Sequence, residues 1–228
     1  MSVEITIPDG HKFDDGKLQY HLMPPKAYQA AADIMTGGAK KYNENNWTGL
    51  KASRIISATY RHLNAFLSGN DLDNDSHAHH MHHVLANLLM LHHILNNFPE
   101  QDDRYYSYTW DKSEKTEKDI HIYKPSRHDS YNQYTLLPID SLEAAIEYLQ
   151  SFPLDEKRKW HHNLSIKTLI DTMMSNFIEV ISSKNGLDKN LGQAIANAMI
   201  MVEVLEDESK DDRIFTYLGS ASQLHKVI

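Results

Sequence analysis

Cysteine is missing from all 228 residues of the chain, which removes disulfides, thiolate metal sites and cysteine nucleophiles together. Any metal must be held by oxygen and imidazole. No apolar run approaches the roughly 20 residues that a membrane-spanning helix needs, and the start MSVEITIPDG has no basic segment followed by an apolar one. The expectation is a cytoplasmic protein, in the host cell if a phage encodes it, with no membrane partner. A dense Lys/Arg run is also absent. With a formal net charge of -8, the chain cannot neutralise the many phosphates from which duplex affinity comes, so extended nucleic acid is excluded as a partner. A small anionic ligand stays open, because a metal or a few local cations reverse the local field.

What is present suffices for a packed core: 41% of the residues are apolar and 24% charged, ordinary for a globular protein. The densest chemistry lies between Arg61 and Asn87, RHLNAFLSGNDLDNDSHAHHMHHVLAN. Asp71, Asp73 and Asp75 alternate in a loop-like segment, so hard oxygen ligands stand beside the borderline nitrogens of His77, His79, His80, His82 and His83. The opening D-x-D-x-D is not a calcium loop of the EF-hand type. Its sixth position is Ser76 rather than glycine, and its twelfth is His82 rather than glutamate. A helix is expected from about Ala78 to Asn96, with His80, His83 and Asn87 at i, i+3 and i+7 on one stripe. The run RIISATYRHLNAFL predicts an amphipathic helix over 53–67 that carries Arg61 and His62. Paired as an antiparallel hairpin, the two helices bring Arg61, the aspartates and the His80–His83–Asn87 stripe together. His77, His79 and His82 fall outside that stripe.

Before this window, Lys12 and Lys17 bracket two acids in a polar entry segment and could reach a phosphate as point charges. Pro24-Pro25 opens a helix that is expected to stop at Gly37-Gly38, just before Lys40 and Lys41, which are suited to approach a phosphate. Trp47, in the turn-rich NENNWTGL, is either a loop anchor or a stacking surface for a base. After it, the Tyr-rich stretch following Pro99 reads as a β-hairpin-like insertion, with YYSYTW and IHIY as strands and a loop-borne His128-Asp129 pair. Helical periodicity returns over 139–152, with Asp140 or Ser141 as N-cap, over 154–160 as a short piece, and over 165–181 and 191–206.

FLSGNDLDND is echoed by VISSKNGLDKN, and VLANLLMLHHIL by AIANAMIMVEVL, which aligns Asn87 with Asn197. The chain is thus expected to hold two helix hairpins in pseudo-repeat, the second without a histidine run. Glu203 and Glu206 could still lend carboxylates to a shared metal site. The fold expected is mainly α: a bundle of antiparallel helix hairpins with a small β-hairpin-like insertion. Three regions follow: 1–98 with the nucleotide site, 99–138 as the insertion, and 139–228 as a degenerate repeat packed on the first.

The ordered set KFDDGK, GAKKY, NNW, RHL, SGNDLDNDS, HxxH and AN-L, over about residues 12–95, resembles the N-terminal domain of the phage dATP/dGTP diphosphohydrolases, a group of MazG-like, all-α nucleotide pyrophosphohydrolases. The resemblance implies a helical site that hydrolyses (deoxy)nucleoside triphosphates to monophosphate and pyrophosphate, and a homo-oligomer. It implies Lys12, Lys17, Lys40, Lys41, Tyr42, Asn46, Trp47, Arg61, His62 and Asn87 as substrate-binding residues. On this reading Asp71, Asp73 and Asp75 hold Mg2+ or Mn2+, and His80, His83 and Asp75 take part in catalysis. One departure is Ala30, where the family tends to carry an acidic residue. It motivates the alternative of a non-catalytic nucleotide-binding protein, such as a phage sponge for a nucleotide-derived defence signal.

Overall fold

The computed structural model describes residues 17–104, 136–152, 165–182 and 187–205. Six helices lie among them: α1 Pro25–Tyr42, α2 Ala52–Leu67, α3 His80–Asn97, α4 Ile139–Gln150, α5 Ile166–Ser182 and α6 Leu187–Val204. No strand occurs among the described residues, so the fold is mainly helical as expected. The insertion's strands, His128-Asp129 and the short helix expected over 154–160 lie outside the described residues.

α1 starts with Pro25 in its first turn, where a missing N–H costs nothing and φ is already helical. Contrary to expectation it does not stop at Gly37-Gly38 but runs on to Tyr42. Two glycines cost about 1 kcal/mol each against alanine, and packing of the buried Ala27, Ala31, Ala32 and Met35 outweighs that. The stop comes instead from Asn43 at φ 76, a conformation asparagine tolerates, with its N–H on the Ala39 carbonyl at 2.9 Å. α2 ends at Gly69, φ 86, where Gly69 N–H reaches Phe66 O and Asn70 N–H reaches Ala65 O, so the last carbonyls are satisfied. α4 follows Pro138, which takes the N-cap position that Asp140 or Ser141 was expected to hold.

α2 and α3 pack as one hairpin and α5 and α6 as another, with α3 and α6 against each other between them. α1 lies on α3 and α6, and α4 on α6 and α3. Asp188, at the start of α6, accepts a hydrogen bond from Asn96 at the end of α3 (2.6 Å), so the two central helices run antiparallel. Both are apolar nearly all round. In α3, Met81, Val84, Leu85, Leu88, Leu89, Leu91 and Ile94 are all fully buried, and each contributes about 1.5–3 kcal/mol of burial before its ordering entropy. Residues of all six helices belong to one continuous core. At Gly192 of α6 an added Cβ would stand 2.7 Å from the Ala144 carbonyl oxygen, so α4 reaches its place only because that position is glycine.

Candidate functional site

The loop between α2 and α3 is closed by its own backbone. His80 N–H bonds Asp71 O (2.8 Å), Asp73 N–H bonds Ala78 O (2.9 Å), and His77, at φ 58, returns its N–H to Asp73 O (2.9 Å). Alternation along this loop therefore does not place the aspartates as a strand would. Asp73 is half-buried, while Asp71 and Asp75 are exposed. Ser76 explains the difference: its N–H and Oγ–H both donate to Asp73 Oδ2, at 3.0 and 2.9 Å. Desolvation pushes the Asp73 carboxyl up, but the two Ser76 hydrogen bonds, with His83 and His62 nearby, hold it below its ordinary value.

Asp73 faces three imidazoles. His62 of α2 and His80 of α3 meet Nδ1 to Nδ1 at 2.9 Å, and His62 stacks on His83 with centroids 4.3 Å apart and planes 5° from parallel. One ligand atom each of His62, Asp73 and His80 lie within 4.8 Å of one another. Burial, with His83 and His80 alongside, pushes the His62 pKa down to about 4, and burial likewise lowers His83. Both rings are therefore neutral near pH 7, with lone pairs available. His83 Nε2 lies 2.7 Å from Ser76 Oγ. Since that hydroxyl gives its hydrogen to Asp73, neutral His83 carries its own hydrogen on Nε2 and leaves Nδ1 as the basic nitrogen.

The other expected residues are distributed around this centre. Lys41 Nζ sits over the Tyr42 ring at 5.1 Å from its centroid. Its pKa is raised chiefly by Tyr42, with Asp75 and Asp73 adding attraction. Lys17, Lys40 and Arg61 are exposed; Lys12 lies outside the described residues. Asn46 and Trp47 share a short 3-10 turn, Asn46–Gly49. There Trp47 packs edge-on against His93, centroids 5.4 Å apart. Asn87 is only 9% exposed, and its Nδ2 has no hydrogen-bond partner among the described residues. His79 caps α3, its Nδ1 accepting from Met81 N–H at 3.0 Å. Glu203 is outside the three-residue group, and Glu206 is not among the described residues.

Sequence reasoning missed Ser76, although an aspartate followed three residues later by serine is a side-chain-to-backbone turn signal. A second polar cluster at the far end of α3 went unseen as well. His93 Nδ1 is 2.8 Å from Asp140 Oδ1, Asn97 donates to Asp140 Oδ2 (2.7 Å), and the buried His92 meets Ser141 Oγ at 3.1 Å and Asp188 at 3.3 Å. Burial works to raise Asp140, but the His93 and Asn97 hydrogen bonds hold it at about 2.

Residues 8–104 match the family model described as dATP/dGTP diphosphohydrolase, N-terminal. This stretch is a domain of that family. It contains α1 to α3 and with them the whole His62–Asp73–His80 group, whereas α4 to α6 lie beyond the match. A dATP/dGTP diphosphohydrolase of Salmonella phage PMBT28 is 37% identical to the chain over 98 residues. The aligned stretch is 43% of this chain and 34% of that protein, so the chain spans about a third of the length of the curated relative it matches. No solved structure matches.

Proposed function

We propose that the chain hydrolyses deoxynucleoside triphosphates to monophosphate and pyrophosphate in phage nucleotide metabolism, with dATP and dGTP as first substrates, the pair named by its relative. The observation that carries this reading is the His62–Asp73–His80 group inside the family domain. The donor set fits a divalent ion: two imidazoles, of which His62 is kept neutral by burial, and one carboxylate kept ionised. The 2.9 Å between the two Nδ1 atoms is close enough for both rings to hold one ion. Two nitrogens favour Mn2+ or a later first-row ion over Mg2+, which prefers oxygen. Asp71 and Asp75 stand outside this group, and Asp75 adds its attraction to Lys41.

When bound, the ion supplies Lewis-acid charge that orients the phosphates and lowers the pKa of the attacking water. His83, neutral and beside the group, takes that water's proton as its oxygen bonds the α-phosphorus. The bond from the α-phosphorus to its bridging oxygen breaks, and pyrophosphate leaves with that electron pair. Lys40, Lys41 and Arg61 neutralise the charge that gathers on the departing phosphates. Ser76 holds Asp73 in place and ionised.

The second reading is a sponge that binds nucleotides without turning them over. It is favoured by Ala30, which is 4% exposed and part of the apolar core, so α1 offers no carboxylate there. Incubation of the purified chain with each dNTP and Mn2+ or Mg2+, followed by separation of products, decides. Deoxynucleoside monophosphate and pyrophosphate, lost in Asp73→Ala, support the hydrolase. Intact dNTP that nonetheless stays bound supports the sponge, and absence of binding overturns both.

A further inference from the structure

One cavity stands apart from the metal group and has no part in the mechanism above. It is a cleft of about 170 Å³ between the C-terminal half of α1, the 43–50 loop and α3. Its walls include Gly38 and Tyr42 of α1, Trp47 of the loop and Met90 of α3, and Asn43, Asn45 and Asn46 of the loop also line it. Apolar walls with a few amides among them are what a flat heteroaromatic ring requires: ring faces against hydrocarbon and indole, ring edges against donors and acceptors. The volume is below the roughly 300–1,000 Å³ of a pocket that encloses a whole ligand, so the cleft takes a ring and leaves the rest of its bearer outside.

Three observations connect the cleft to the metal group. Met90 falls on the same α3 stripe as His83 and Asn87, two turns or about 10 Å beyond His83. Between them lies Asn87, with its buried, unpartnered Nδ2, a donor that natural proteins seldom leave idle. On α1, Tyr42 lines the cleft while Lys41 beside it feels Asp73 and Asp75. The cleft wall is also braced from behind, because Trp47 packs on His93, which is fixed by Asp140 of α4.

We propose that this cleft is the nucleobase subsite of the nucleotide whose phosphates lie at the His62–Asp73–His80 group. Trp47 and Met90 flank the ring, the 43–46 amides meet its edge, and Asn87 donates to the sugar or first phosphate between the two sites. The proposal rests on the phosphohydrolase or sponge reading for its phosphate half, yet the cleft can be tested without any phosphate.

Gly38 supplies the test. A Cβ built there meets nothing within 4 Å, so Gly38→Leu fills the cleft while improving helix propensity. Deoxyadenosine is titrated while tryptophan fluorescence is followed, with Trp47→Phe to assign the signal among the three tryptophans. Inorganic tripolyphosphate with Mn2+ is titrated in parallel by calorimetry. The expected result is quenching by deoxyadenosine that is lost in Trp47→Phe, and binding at least tenfold weaker in Gly38→Leu, with tripolyphosphate binding unchanged. Deoxyadenosine binding to Gly38→Leu as to the parent chain would overturn the proposal. So would tripolyphosphate and dATP binding equally well with no quenching by the nucleoside. If deoxyadenosine quenches but tripolyphosphate does not bind, the cleft stands and the phosphate-site reading fails. Melting temperature confirms that Gly38→Leu is folded, and Gly38→Ala, which leaves most of the cleft open, is expected to bind as the parent does.

Discussion

The two hairpins of the bundle are built alike and spend their polar groups differently. In the first, Asp73 turns toward His62, His80 and His83, and the buried Asn87 keeps an idle donor. In the second, Asp188 is engaged by Asn96 and His92 of the first hairpin, and Asn197, the residue aligned with Asn87, donates to Gln193 O in its own helix at 2.7 Å. The two aligned asparagines are thus left unsatisfied in one hairpin and satisfied by their own helix in the other. A polar group that the fold has already satisfied is closed to chemistry, and one that it leaves unsatisfied carries a cost that a ligand can relieve.

The sharpest way to break this contrast is to remove one carboxylate from each side. Asp73→Ala is expected to lower dNTP hydrolysis by more than the roughly 10–100-fold that loss of an outer-shell partner costs. Asp188→Asn should leave turnover within a few-fold and lower the melting temperature instead. Equal loss of turnover in both variants would end the division of labour.

Helical glycines offer a second pair, read by urea unfolding. Gly192→Ala drives a methyl into the Ala144 carbonyl and should cost about 1–3 kcal/mol. Gly38→Ala meets open space and should stabilise by up to about 1 kcal/mol. The paired asparagines come next. Asn197→Leu removes a satisfied amide and should cost about 1 kcal/mol with no change in nucleotide affinity. Asn87→Leu removes an unsatisfied one, so stability should hold or rise while affinity for dATP falls.

The smallest effect is in the pH dependence of the metal-free protein. The folded pKa of His62, about 4, is below its unfolded value near 6.5. Protons therefore favour the unfolded chain: the contribution is complete above pH 6.5 and is lost as pH falls toward 4. Allowing for solvent screening of a half-exposed ring, this is about 1–2 kcal/mol, and it should be missing in His62→Gln. Asp140, held at about 2, is depressed too, so its share is complete above about pH 4 and is lost as pH falls from there through about 2. Thermal melts in EDTA across this range should show the site hairpin weaken before the α3–α4 brace does.

Most of the bundle could be read from apolar periodicity, because α2 to α6 each bury a broad face. α1 was misjudged at Gly37-Gly38, since local propensity is small beside the packing of a turn that follows it. Within the site, the hairpin geometry and His80 were legible, and His62 entered only through family resemblance. Which of the three aspartates turns inward was not legible, because that depends on Ser76 closing a loop rather than on alternation. The His92–His93–Asp140–Asp188 cluster joins residues 47 to 96 positions apart, and no spacing rule reaches that far.

α3 is apolar nearly all round, and this has a consequence for how the chain is made. It emerges from the ribosome with only the preceding part of the chain, α1 and α2 included, to cover it, and α6, which packs on another of its faces, ends about a hundred residues later. At about 5–20 residues per second that leaves the apolar face destined for α6 waiting roughly 5–20 s. During that interval the helix that carries His80 and His83 is a ready target for a holdase chaperone or for a second nascent chain.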